Sequence, residues 1–279
     1  MTWHNPPQTF QKGHLNEVEY PLSSLPLVSD GAEMVMLGEN LYEAPAPTMP
    51  GDDGFQAELD EVMRVRNDVL NGVWPTWFFQ DHGMSATPPS TFKQVGVHVG
   101  DPEAAAGLVH MDDPMDLGVL MRNYLLGLIQ RPEGQHGMFL ENIPGFNAKL
   151  ATAVNDALLA AAETKQFFGR PRPEEMLCFN MTHYPEGCPK HPAYPAGHGA
   201  AAGATFAVLE SHFAAHLSSN LLEYVRDACL QFSIYRVLAG VHFADDCQIG
   251  FLLGYAAANG LASVTEAAEK AGWGERYVG

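Results

Sequence analysis

The sequence predicts an all-α fold, and three observations carry that expectation. Apolar residues recur at three-to-four spacing through six long segments, Pro and Gly punctuate between them, and alternating apolar–polar runs bounded by turn pairs are scarce. The six segments are residues 55–72, 114–130, 146–168, 200–217, 219–240 and 247–272. Each is long enough to present one apolar face to neighbouring helices, so a bundle packed helix on helix follows. Residues 1–54 are rich in Pro, Gly and short polar stretches without sustained periodicity. They read as an irregular arm packed over the body or over a neighbouring subunit. No internal repeat is found, and residues 1–279 are taken as one all-α domain.

Composition narrows the function classes. The chain has 279 residues, 46% of them hydrophobic, enough to bury a substantial core. Against 33 Asp plus Glu stand 15 Lys plus Arg, a formal charge of -18. That balance argues against general nucleic-acid affinity and against attraction to an anionic membrane. An anion site must then be local, built from a few cations against an unfavourable overall field, which makes each clustered Lys or Arg informative. The N-terminus, MTWHNPPQTFQKGHLNEVEY, shows no basic stretch followed by an apolar one, so a cytoplasmic location is expected. No run approaches the roughly 18 apolar residues of a membrane span. Cys178, Cys188, Cys229 and Cys247 form no CxxC pair and no zinc-ligand spacing. They read as reduced thiols, with disulfides left open by the even count.

Three segments carry chemistry. The first is Lys165-Gln-Phe-Phe-Gly-Arg-Pro-Arg172-Pro173, in which Gly169 and the two prolines stop a helix and force an extended exit. Lys165 then sits on the last helical turn while Arg172 reaches back. Taken alone, such a pair also suits a solvated cluster answering the helix dipole. The second is His191-Pro-Ala-Tyr-Pro-Ala196-Gly197-His198, leading into the alanine-rich helix, whose unpaired N–H groups favour an anion. A proline-stiffened turn with a histidine cap is the plainer reading of that stretch. The third is Tyr235-Arg236-Val-Leu-Ala-Gly240-Val-His242-Phe-Ala-Asp245-Asp246. Six residues apart on one helix, Arg236 and His242 would face different ways, so Gly240 is expected to break the helix and turn both inward. Asp245 with Gln248 looks like a capping box for the last helix. Asp246, four residues after His242, is placed to accept the imidazole N–H and aim the other nitrogen at a ligand.

Taken together, the order Lys-x6-Arg-Pro, Pro-x-Gly-His, Arg-x5-His-x3-Asp resembles the signature shared by vanadium-dependent haloperoxidases and the type 2 phosphatidic acid phosphatases with their bacterial acid-phosphatase relatives. The resemblance covers residues 165–246 and their flanking helices, about two fifths of the chain, and implies that family's helical bundle. Two positions depart from it. Ala196 stands where the family usually has serine, removing a hydroxyl bond worth roughly 1–3 kcal/mol to a charged acceptor. Tyr235 stands before Arg236 in place of the common serine.

Both vanadate and phosphate are tetrahedral oxyanions, so the motif serves either chemistry. The stretch EGCPKHPAYPAGH around His191 and His198 is similar to algal-type bromoperoxidases, where a histidine lies seven residues before the catalytic one. That implies bromide or iodide as the halide. On this resemblance vanadate is the cofactor, His242 ligates the metal, and Asp246 orients it. Lys165, Arg172 and Arg236 neutralise the oxyanion, Gly197 adds a backbone N–H, and Ala196 lines the same turn. His198 acts as base and acid toward hydrogen peroxide, with a pKa lowered by the cations. His191 sits beside it. The alternatives are an acid phosphatase in which His242 forms a phosphohistidine and His198 protonates the leaving alcohol, and a degenerate oxyanion-binding scaffold. Hydrogen peroxide, halide and an organic acceptor are the implied partners. A homo-oligomer built from dimers is expected from the arm. His212 with His216, and His110 with Asp112 and Asp113, read as ordinary packing or surface residues.

Overall fold

Small residues decide how closely the two central helices approach. The computed structural model describes residues 32–37, 40–71, 73–83, 145–177, 191–215 and 219–273. The helix expected over 114–130, the His110 cluster, Cys178, Cys188 and His216 lie outside these residues. In chain order the described elements are strands β1 (Ala32–Leu37) and β2 (Asn40–Pro45) and helices α1 (Phe55–Leu70), α2 (Thr76–Asp81), α3 (Phe146–Phe168) and α4 (Pro173–Leu177). Helices α5 (Gly197–Phe213), α6 (Ser219–Leu238), α7 (Ala244–Asn259) and α8 (Val264–Lys270) follow. The expected all-α class is what the structure has, with one hairpin added.

Helices α5 and α7 form the most extensive contact, and α3 packs against both. Each of the two carries a pair of glycines four residues apart at the crossing. A Cβ at Gly203 would lie 1.8 Å from the Phe251 carbonyl oxygen, and one at Gly254 would lie 1.9 Å from that of Ala200. The backbones therefore meet without side chains between them, which fixes the register of α7 against α5 to a fraction of a turn. Around this contact the core closes with Leu158, Phe206, Phe213, Phe251, Leu252 and Tyr255, all buried. No described helix is long and apolar enough to cross a membrane.

Four differences from the sequence reading have local causes. Within the arm, residues 32–37 and 40–45 pair as antiparallel strands with Ala32 opposite Pro45 and Leu37 opposite Asn40. The sequence signal for it is a glycine-containing pair between two six-residue runs. The alanine-rich helix begins at Gly197, three residues before its apolar periodicity, because Ala196 in the extended region already serves as its N-cap. The segment over 247–272 is two helices, since Gly260 takes a left-handed φ of 63° and ends α7, and Ser263 caps α8 by accepting from the Glu266 N–H. The first turn of α7 is capped at Phe243, whose N–H donates to Asp246 Oδ2 at 2.9 Å, so Asp246 and not the Asp245–Gln248 pair supplies the cap.

Candidate active site

Helix ends deliver the charged groups. Helix α3 stops at Gly169, left-handed at φ 64°, and the four-residue link to α4 carries Arg170 and Arg172 inward. Helix α6 stops at Leu238, and Gly240 at φ 77° turns the chain so that the Val241 N–H reaches back to the Arg236 carbonyl at 3.1 Å. Arg236 thus stays on the final turn while His242 swings off the axis, the break that the Arg-x5-His spacing required. The turn before α5 is tied to α7 by the Ala196 N–H, which donates to the Asp246 carbonyl at 2.7 Å. The Tyr194–Pro195 peptide in that turn is cis.

Lys165, Arg172, His198, Arg236, His242 and Asp246 are all buried. Lys165 Nζ donates to the carbonyls of Pro192 and Ala193 at 2.7 and 2.6 Å, which locks the second segment onto the first. Arg172 spans the second and third segments. Its Nε donates to the His191 carbonyl at 2.9 Å, Nη1 to the Val241 carbonyl at 2.7 Å, and Nη2 lies 3.1 Å from His191 Nδ1. The same Nη1 stands 3.3 Å from His242 Nε2. On the far edge of that ring, Nδ1 lies 3.1 Å from Asp246 Oδ2. With an arginine donor on one nitrogen and a carboxylate on the other, the imidazole carries its proton on Nδ1 and offers a lone pair at Nε2.

Electrostatics agree with a neutral ring. Burial, then Arg172, Lys165, Arg236 and His198, push the His242 pKa well below its ordinary value. Burial and the Arg172 charge likewise depress His191 and Lys165. These mutual effects show that the cations of all three segments feel one another, as groups around one small volume must. Gly197, His198 and Gly199 open the 17-residue helix α5, whose first-turn N–H groups have no acceptor earlier in the helix itself. The structure therefore brings Lys165, Arg172, His191, Ala196, Gly197, His198, Arg236, His242 and Asp246 together. Cys229 and Cys247 are buried free thiols, and His212 packs against Phe146, away from any metal-ligand group among the described residues.

Sequence reading missed the other half of the link. Arg170, fully buried, donates from Nη1 to Asp245 Oδ1 and Asp246 Oδ1, both at 2.7 Å. Its Nη2 donates to Thr48 Oγ1 at 2.7 Å and pairs with Glu58. Burial works against this charge, but Asp246, Asp245 and Glu58 together raise the guanidinium pKa. The Phe243 ring covers it at 4.0 Å. Nothing local in the sequence marks these partners, because Glu58 is 112 residues away.

A model of the PAP2 superfamily matches residues 145–270, a stretch that contains all three segments. The crystal structure of the first bacterial vanadium-dependent iodoperoxidase aligns with a TM-score of 0.45 and 18% identity, over 77% of this chain and 50% of that one. The chain thus spans half the length of that iodoperoxidase. The crystal structure of Aquifex aeolicus LpxE aligns with a TM-score of 0.35 and 21% identity, over 59% of this chain and 96% of that one. No curated protein matches the chain.

Proposed function

We propose that this chain is a vanadate-dependent haloperoxidase that oxidises bromide or iodide with hydrogen peroxide. The observation that carries the reading is His242, a neutral imidazole held at Nδ1 by Asp246, with Nε2 turned toward Arg172 amid further cations. The donor set fits a tetrahedral oxyanion. His242 Nε2 would hold the central atom, Lys165, Arg172 and Arg236 would oppose the negative oxygens, and the α5 N-terminus would add N–H donors. Vanadate held there supplies a Lewis-acidic centre at which hydrogen peroxide becomes electrophilic toward halide.

The protein's own part is positioning and proton handling. Two of the three Lys165 donors hold backbone carbonyls, which leaves one for the anion. The three buried cations repel one another across one small volume, and an incoming anion would relieve that repulsion. His198, on the first turn of α5, takes a proton from incoming hydrogen peroxide and returns one to the departing oxygen. His191, seven residues earlier, touches Arg172 and favours the peroxidase reading over hydrolysis through the likeness of its stretch to bromoperoxidases.

A phosphatase is the competing reading, and the same observation supports it: an Asp246-held neutral imidazole with its Nε2 lone pair turned toward the cations is also what a phosphohistidine requires. Isothermal titration separates the roles. His242→Ala should abolish orthovanadate binding, whereas His198→Ala should bind it and lose peroxide-dependent halide oxidation. Unchanged vanadate affinity in His242→Ala contradicts the assignment.

A further inference from the structure

Asp246 is the only carboxylate touching His242 among the described residues, and both its oxygens are committed. Oδ2 accepts from His242 Nδ1 at 3.1 Å and from the Phe243 N–H at 2.9 Å, while Oδ1 accepts from Arg170 Nη1 at 2.7 Å. Asp246 has no solvent exposure. A carboxylate in that position cannot be steadied by water, so its plane, and with it the direction of the Oδ2 lone pairs, is set by these three donors. Two of them lie on one oxygen. Among the described residues Arg170 is the donor on the other, and together with the two donors on Oδ2 it holds the carboxylate against rotation about its Cβ–Cγ bond.

Arg170 can do this because it is itself fixed at both ends. Nη1 is shared with Asp245, whose Oδ1 also accepts the Asp246 N–H at 2.9 Å. Nη2 is held by Thr48 and Glu58. The Phe243 ring lies over the guanidinium plane at 4.0 Å. A linear chain results: Arg170 to Asp246 to His242 to Arg172, with an arginine at each end and the imidazole's Nε2 at the inner one.

We propose that Arg170 is a positioning residue for His242, acting through Asp246, and that Thr48 and Glu58 set its position from the N-terminal part of the chain. The inference rests on the reading of His242 as the oxyanion-binding nitrogen. It gives residues outside the 145–270 match a part in the site at one remove, because Thr48 precedes α1 and Glu58 lies on its first turn. An ion pair serving stability alone would not affect which imidazole nitrogen carries the proton. A positioning group would.

The test uses the full chain with ¹⁵N-labelled histidine, the His242 signal being assigned by its loss in His242→Gln. Nitrogen chemical shifts report the tautomer without any oxyanion, and titration with orthovanadate reports binding. The wild type is expected to show His242 protonated at Nδ1. Arg170→Gln is expected to give a mixture of tautomers and at least tenfold weaker vanadate binding, and Arg170→Lys to restore most of both. A folded Arg170→Gln with a wild-type tautomer and wild-type affinity overturns the inference. If Arg170→Gln does not fold, Thr48→Val with Glu58→Gln frees the outer end of the guanidinium while keeping its charge. That variant is expected to shift the tautomer and to weaken vanadate about threefold, and no change in either overturns the inference. Equal vanadate affinity in wild type and His242→Ala is a failure of the oxyanion reading instead, and the tautomer measurement still decides the role of Arg170.

Discussion

Arg170 and Arg172 stand two residues apart on one short link and occupy opposite electrostatic surroundings. Arg170 is ringed by Asp245, Asp246 and Glu58. The Arg172 guanidinium meets carbonyls and imidazoles, and among the described residues no carboxylate pairs with it. Both are buried to the same degree. On the proposed reading, this is how a strongly acidic chain would keep an anion site: three carboxylates gather on one arginine, and the other keeps its charge beside His242.

The comparison breaks first under truncation. Arg170→Ala leaves three carboxylates facing one another in the interior and should lower unfolding stability by about 3–5 kcal/mol, read from urea denaturation. Arg172→Ala removes a cation from a group of mutually repelling cations. The relief is offset because the His191 and Val241 carbonyls lose their donor, so stability should fall by about 1–3 kcal/mol, while orthovanadate affinity falls roughly a hundredfold. Exchange of these two outcomes would mean that the roles of the arginines have been reversed.

Glu163 sharpens the comparison from the other side, as a half-buried carboxyl on α3 that pairs with no cation among the described residues. Among the described residues its buried Oε2 has no hydrogen-bond partner, and burial pushes its pKa up to about 7. The folded state then holds a proton that the unfolded chain releases near 4.5. Stability therefore falls as pH rises from about 4.5 to about 7, and the loss persists above that range. Glu163→Gln lacks this slope. It should be more stable than wild type at pH 8, on the order of 1 kcal/mol after allowance for partial solvent screening, and the gap should close by about pH 4. Equal pH profiles for the two proteins would show that the carboxyl is solvated.

The smallest effect is expected at Ala196. A serine there has two destinations: the open N–H groups of α5, as an N-cap worth about 1 kcal/mol, or an oxyanion oxygen, worth up to about tenfold in affinity. Thermal unfolding and vanadate titration of Ala196→Ser separate them, and a marked fall in affinity with the fold intact would show a pocket shaped for another ligand.

Much of this was legible in the chain itself. The helix over 146–168 is flanked by Gly145 and Gly169, and its observed bounds coincide with the periodic run because both glycines take left-handed conformations that end it. The Arg-x5-His spacing called for a break at Gly240, and the break is there. Asp246 was readable as the partner of His242 because the two lie four residues apart. Arg170 was not, since its partners come from Thr48, Glu58 and the start of α7, and contacts closed over more than a hundred residues leave no local pattern. Gly260 was passed over because apolar periodicity resumes beyond it at the same phase, which masks a helix break from any count of spacing.

Halide oxidation by the purified protein, with and without added orthovanadate, tests the central claim most directly. The account predicts peroxide-dependent oxidation of bromide or iodide that appears on adding vanadate, is absent without it, and is lost in His242→Ala. Hydrolysis of a phosphate monoester that vanadate inhibits, with no halide oxidation at any vanadate concentration, would contradict it.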